Sequence, residues 1–189
     1  METIKGDKLE TFPLDLRTVA DLISCDGPLV SLFESHFEDY YLYYWCDADE
    51  NYNRWLIFRI SNIQITSYLL GSQSLRDLIL NPIEGYFFLC DVDNDWQYRN
   101  VYFVLSKNLP DIYTPLEDSY HDERLGLSQK DKSILEHKFI TPILQHLSDK
   151  FAFFSQSQKV IKMPEESGSI SQIKRMNDPT SSQPTHLSV

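Results

Sequence analysis

Three acidic residues alternate in a pattern that could ligate a metal ion. They are Asp91, Asp93 and Asp95. This spacing is that of the first ligands of a calcium loop, but such a loop needs Gly at its sixth position and Glu at its twelfth. Trp96 and Tyr102 occupy those positions here. An acidic β-turn is therefore the favoured interpretation. A weak divalent-ion site shared with the acidic loop at 47–51 is the alternative, if both loops lie at one end of the sheet.

Other catalytic patterns are missing from the sequence. The five histidines show no HxH or HExxH spacing, and neither a G-x-S-x-G motif nor a glycine-rich phosphate loop occurs. His121, beside Asp122 and Glu123, is the one candidate general base, but no nucleophile or second acid can be paired with it. We predict no catalytic residues and no cofactor, and a non-enzymatic role is favoured.

An aromatic run, YYLYYWC at 40–46, is the other notable feature. Aromatic side chains can stack on nucleic-acid bases, but no basic residues are interleaved to bind the phosphates. We instead expect one face of the run to be core and the other to contact a partner. A long acidic stretch at 107–126 is a second candidate surface. The predicted binding residues are Tyr41, Tyr43, Trp45, Trp96, Glu117, Asp118 and His121.

The formal net charge of −11 limits the partners. Nucleic-acid backbones and strongly anionic membranes attract Lys and Arg, so both are disfavoured. We predict another protein as partner, with a basic protein as one option, or self-association; solubility alone is the favoured explanation of the charge. The three cysteines lack metal-ligand spacing, which predicts reduced and mostly buried thiols in a cytoplasmic protein. A signal-peptide pattern and an apolar run of membrane-spanning length are both missing from the sequence.

The predicted elements define an α+β fold with an antiparallel sheet of about five strands, short inserted helices and a longer C-terminal helix. The strands are expected at 29–33, 40–46, 54–60, 85–92 and 96–105. Within the third, Trp55, Ile57 and Arg59 should share one face. Short helices are predicted at 16–23, after Ser61 or Asn62, and after Ser74. The terminal helix, 128–151, contains Pro142 and should kink or divide there. We expect a flexible segment at 1–12, one domain at 13–154 and a disordered tail at 155–189.

The order DGPLVSLF, YYLYYWCD, RWLIFRIS and SLRDLILNPIEGYFFLCDV, covering about residues 25–93, resembles a bacterial family of uncharacterised proteins classed as a domain of unknown function. The resemblance is most specific at 74–77 and 81–82. It implies a bacterial or phage-related source and a small α+β domain, and it nominates no active residue.

Three functions compete on these grounds. The leading hypothesis is a non-catalytic protein–protein interaction or regulatory module that uses the aromatic sheet face or the acidic loop. The second is a divalent-metal-dependent hydrolase that uses Asp91, Asp93 and neighbours such as Glu117 or Asp118. The third is an acidic DNA mimic that inhibits a nucleic-acid-binding protein.

Overall fold

Seven antiparallel strands form one sheet in the computed structural model, which describes residues 4–122 and 127–160. The strands are β1 (Asp7–Leu9), β2 (Leu16–Ser24), β3 (Pro28–Ser35), β4 (Tyr40–Ala48), β5 (Asn53–Ile60), β6 (Tyr86–Val92) and β7 (Tyr98–Leu105). Their order across the sheet is β1-β7-β6-β5-β4-β3-β2. The α+β prediction is confirmed, and all five predicted strands are present. The predicted strand number is too low, because β1 and β2 were not anticipated.

Helices are inserted between β5 and β6 and follow β7. They are α1 (Asn62–Leu69), α2 (Leu75–Leu80), α3 (Gln129–Leu135) and α4 (Thr141–Val160), with a π-helical turn at Glu136–Ile140 and 3₁₀ turns at Ser106–Asn108 and Asp111–Tyr113. Ser61, Ser74 and Ser128 cap α1, α2 and α3 as predicted, each accepting a backbone N–H three residues later. Asp77 completes a capping box with Ser74.

The prediction of a helix at 16–23 is wrong, because this segment is strand β2, paired with β3. Register irregularities interrupt the pairing between Thr18 and Ala20 and again between Asp21 and Ile23. Each bulge adds a residue, so the apolar positions facing the helices recur in pairs at 19/20 and 22/23. These pairs are three residues apart, and this spacing resembles the periodicity of an amphipathic helix.

The N-terminal segment 1–12, predicted to be flexible, contains strand β1, which pairs with β7 at one edge of the sheet. Gly6 lies so close to β7 that a Cβ atom there would be 2.6 Å from the carbonyl oxygen of Phe103. Strand β2 lies at the opposite edge. Residues 10–15 must therefore cross one whole face of the sheet.

The two faces of the sheet pack against different elements. Its first face carries Leu56, Phe58 and Ile60 of β5 and packs against α1, α2, α3 and the π-helical turn. Its second face carries Trp55 and Ile57, as the predicted alternation requires, and packs against the crossing segment. We call these the helix face and the aromatic face.

The C-terminal helical pattern divides next to Pro142, as predicted. A π-helical turn separates α3 from α4, and Pro142 lies in the first turn of α4, where its missing N–H is tolerated. Leu144 and Leu147, which lie on the apolar stripe of this helical pattern, are exposed. The first compact unit of the chain ends at Lys150, within α4. Residues 155–160, predicted to begin a disordered tail, belong to α4; the remainder of that tail lies outside the described residues.

Candidate binding site on the aromatic face

The crossing segment packs its apolar side chains on the aromatic face. Phe12 stacks on Tyr98 at a ring-centroid distance of 4.7 Å and meets the ring of Phe88 edge-on at 5.6 Å. Leu14 and Leu16 pack on the same cluster. This cover is narrow, however, and the face is open beside it.

A cavity of about 450 Å³ occupies the open part of the face. It is lined by Thr18, Asp21, Pro28, Ser31, Phe33, Tyr43, Trp55, Val92, Trp96 and Tyr98. A second cavity, of about 480 Å³, shares Pro28, Trp55 and Trp96 with the first and extends to the turn between β2 and β3. Together they form a groove, which we call the aromatic groove. Its size and aromatic lining are those of a ligand-binding cleft.

Trp96 stands at the junction of the two cavities, on the turn between β6 and β7. The carboxylate of Asp93 organises this turn by accepting the backbone N–H groups of Asp95 and Gln97, each at 2.9 Å. Trp96 has a φ of +59°, a left-handed conformation that is costly for a bulky side chain. Trp96 is 64% exposed, and the centroid of its ring lies 6.2 Å from that of Trp55. The turn therefore holds a large apolar surface in solvent at an energetic cost, which is a feature of binding sites.

Polar groups are placed at defined points of the groove. Ser31 donates its hydroxyl to Asp21 Oδ1 at 2.6 Å, and the hydroxyls of Tyr43 and Tyr98 lie 3.0 Å apart. Burial raises the pKa of Tyr43, so its hydroxyl stays neutral at all ordinary pH values. Asp21 supplies a carboxylate to the first cavity and Asp26 supplies one to the second.

The charged side chains that line the two cavities are all acidic. Among the described residues around the two cavities there are two aspartates and neither a lysine nor an arginine. Aromatic faces carry partial negative charge, so rings and carboxylates together make a site that favours a cation.

The three alternating aspartates do not converge. Asp91 is buried and bound by Arg54, with Nε–Oδ1 at 2.7 Å and Nη2–Oδ2 at 3.1 Å. Asp93 is occupied by the turn and by an ion pair with Arg99. The strand order does place the acidic turns at 47–51 and 93–95 at the same end of the sheet. Even so, the described part of the chain holds no group of three or more metal-ligating side chains.

Arg54 instead organises a buried network on the helix face. Besides Asp91, its guanidinium donates to the hydroxyls of Tyr113 at 2.5 Å and Tyr52 at 3.2 Å. Asn100 donates its side-chain amide to Asp91 Oδ2 at 3.0 Å. Because Tyr113 belongs to the 3₁₀ turn at Asp111–Tyr113, the network fixes the start of the long segment after β7.

The acidic loop lies away from the aromatic groove. Arg76 of α2 holds it by donating to Pro115 O at 2.7 Å, and the backbone carbonyl of Ser119 accepts from Leu75 N at 2.8 Å. Glu117 and Asp118 are exposed. His121 packs its ring 5.4 Å from that of Tyr68, which belongs to the core of the helix face. These three predicted binding residues are therefore not assembled with the aromatic ones.

Of the aromatic predictions, Tyr43, Trp45 and Trp96 line the groove. Tyr41 lies on the same face but outside both cavities. The prediction missed Trp55, Phe33 and Asp21. The alternation within β5 placed Trp55 on the correct face and could have nominated it. The sequence does not nominate Asp21, because the spacing of apolar residues in its segment predicts a helix.

The cysteines also differ from expectation. Cys90 is buried and Cys46 partly buried, and burial raises the pKa of both thiols. Cys25 is exposed, contrary to the prediction, and it lines the second cavity. It sits in the tight turn between β2 and β3, where its N–H donates to Gly27 O at 2.8 Å.

Comparisons with protein-family models, curated proteins and solved structures return no match. The family resemblance at 25–93 stays a prediction. Within the described residues, no helix is long and apolar enough to cross a membrane.

Proposed function

We propose that this chain is a cytoplasmic, non-catalytic interaction module of a bacterial or phage-related system, and that it binds a basic protein through the aromatic groove. The observation that carries this proposal is the open groove itself. It combines rings held partly in solvent with two carboxylates, in a chain of net charge −11. Protein-binding surfaces are enriched in such aromatic anchors, and opposite charge speeds and selects the encounter.

The sheet edges favour the groove over edge-to-edge pairing as the contact surface. Strand β1 spans three residues, two of them charged, and β2 is interrupted by bulges. Short, charged or bulged edges are the devices that prevent strand addition. A second copy pairing through these edges is thus the less favoured partner.

The hydrolase hypothesis has less support than the interaction module. Its central residue, Asp91, is buried and engaged by Arg54, and Glu117 and Asp118 lie on a segment held by α2. The DNA-mimic hypothesis draws on the acidic turns gathered at one end of the sheet, whereas imitation of a duplex needs acids spread along one elongated face.

Affinity capture from the native organism tests the proposal when it is run with matched variants. Trp96→Gly removes the exposed ring from the groove at a position whose φ suits glycine. Phe37→Ala is the control, because Phe37 is 87% exposed in the turn between β3 and β4, at the opposite end of the sheet.

The expected result is one basic protein captured by the wild type and by Phe37→Ala and lost with Trp96→Gly. If Trp96→Gly still captured the partner, the groove would not be the binding surface. Sedimentation of the purified chain distinguishes self-association from binding of another protein. A stable homo-oligomer that Trp96→Gly abolishes would show that the partner is a second copy of this chain and not a basic protein.

A further inference from the structure

We propose that the first cavity of the aromatic groove recognises an arginine side chain of the partner, with Asp21 as its counter-ion. This inference rests on the proposed function and names the chemistry of the contact. It starts from the cavity walls, which include the rings of Phe33, Tyr43 and Trp55 and the exposed residue Trp96.

The geometry around Asp21 carries the charge argument. Asp21 lies on the edge strand β2 and points into the cavity, where its Oδ1 accepts the hydroxyl of Ser31 at 2.6 Å. Ser31 is 3% exposed, so this hydrogen bond fixes the carboxylate from below. An arginine offers a planar fork of donors that matches a carboxylate, and it also stacks on aromatic rings.

Arginine fits better than the other cations for two reasons. The site pairs one oriented carboxylate with several ring faces, and the guanidinium can use both at once, whereas lysine presents a compact, strongly hydrated point charge. The guanidinium is also the more weakly hydrated cation, so its transfer into an aromatic cavity costs less free energy. No basic side chain of the described lining competes for Asp21.

The site has a built-in reporter. The chain contains three tryptophans, and Trp45, Trp55 and Trp96 all line the aromatic groove. Tryptophan-selective fluorescence therefore reports on this groove, without background from tryptophans elsewhere.

The test is a fluorescence titration of the full chain with the probe acetyl-Gly-Arg-Gly-amide. The matched probe carries citrulline, which keeps the shape of arginine and removes its charge. We expect saturable binding of the arginine probe and at least about tenfold weaker binding of the citrulline probe, equivalent to about 1.4 kcal/mol. Asp21→Asn preserves the acceptor for Ser31, and it should lower the affinity for the arginine probe by a similar factor. Asp49→Asn, an exposed position on the turn between β4 and β5, should leave binding unchanged.

Three outcomes overturn the inference. Equal binding of both probes would show that the cavity selects apolar shape. Unchanged binding of the arginine probe by Asp21→Asn would show that Asp21 is not the counter-ion. Tighter binding of tetramethylammonium than of the arginine probe would identify a cage for quaternary ammonium groups. If any of these occurred while partner capture still required Trp96, the interaction module would stand and only the arginine assignment would fall.

Discussion

The guanidinium of Arg54 and the carboxylate of Asp91 are direct neighbours across strands β5 and β6, and they form a two-point ion pair. Both side chains are almost fully buried. The hydroxyl of Tyr113 and the amide of Asn100 occupy further sites on the pair. Asp91 is thus a buried structural residue. Although its spacing with Asp93 and Asp95 resembles a metal-binding pattern, the three side chains do not come together as a metal site.

Removing one partner of this pair should be strongly destabilising, because the other charge is left buried. We expect Asp91→Asn to lower the free energy of unfolding by about 3 to 5 kcal/mol. Urea unfolding followed by circular dichroism measures the loss. Arg99→Met is the comparison, since the Arg99 side chain is largely exposed and its ion pair with Asp93 should contribute much less than the buried pair. Similar losses in the two variants would contradict this account of the Arg54 network.

Stability should fall in acid in a way that depends on Glu34. Burial alone would raise the pKa of Glu34, but hydrogen bonds from Lys138, Tyr40 and Arg17 outweigh it and lower the pKa from 4.5 to about 2. The carboxylate is thus more acidic when folded, so its contribution is present above pH 4.5 and is lost as the pH falls toward 2. The full effect is on the order of 3 kcal/mol.

The measurement is the free energy of unfolding of wild type and Glu34→Gln across this pH range. Other carboxylates contribute to both proteins, so the difference between the two curves isolates Glu34. We expect the wild type to lose its advantage below about pH 4.5. A difference that stays constant down to the acid limit would show that the contacts with Lys138 and Arg17 do not hold the charge.

Trp96 should separate binding from stability. Trp96→Gly and Trp96→Ala both delete the ring, but only glycine adopts the left-handed conformation without strain. We expect the glycine variant to be about 1 kcal/mol more stable than the alanine variant, while both lose partner binding. Thermal unfolding compares the two. An alanine variant of equal stability would indicate that the turn changes its conformation when the ring is removed.

Cys25 provides a chemical handle on the groove. It is exposed, whereas burial raises the pKa of Cys46 and Cys90 and so suppresses their thiolates. We expect one fast equivalent of reaction with a thiol reagent, absent in Cys25→Ser. Because Cys25 lines the second cavity with Trp45 and Trp55, labelling it should also change tryptophan fluorescence and weaken partner capture. Fast labelling that leaves fluorescence and capture untouched would place the partner outside the second cavity.

Features set by neighbouring residues were predictable from the sequence. The serine caps of α1, α2 and α3 and the five central strands were found, because capping and alternation act over a few residues. The two faces of β5 followed in the same way. Arg59, which the alternation places on the same face as Trp55 and Ile57, pairs with both Asp39 and Glu84.

Features that depend on pairing between distant segments of the chain were not predictable from the sequence. The bulges that make β2 resemble a helix exist because β3 lies beside it, and Gly6 meets β7 about a hundred residues further along the chain. The sequence by itself determined an acidic α+β domain with an aromatic sheet face. Only the tertiary structure decided that residues 10–15 cross this face and leave a groove, in which Asp21 lines the same cavity as Trp55 and Trp96. The physical reason is that strand order and surface cover depend on contacts between residues far apart in the chain, which local propensities do not encode.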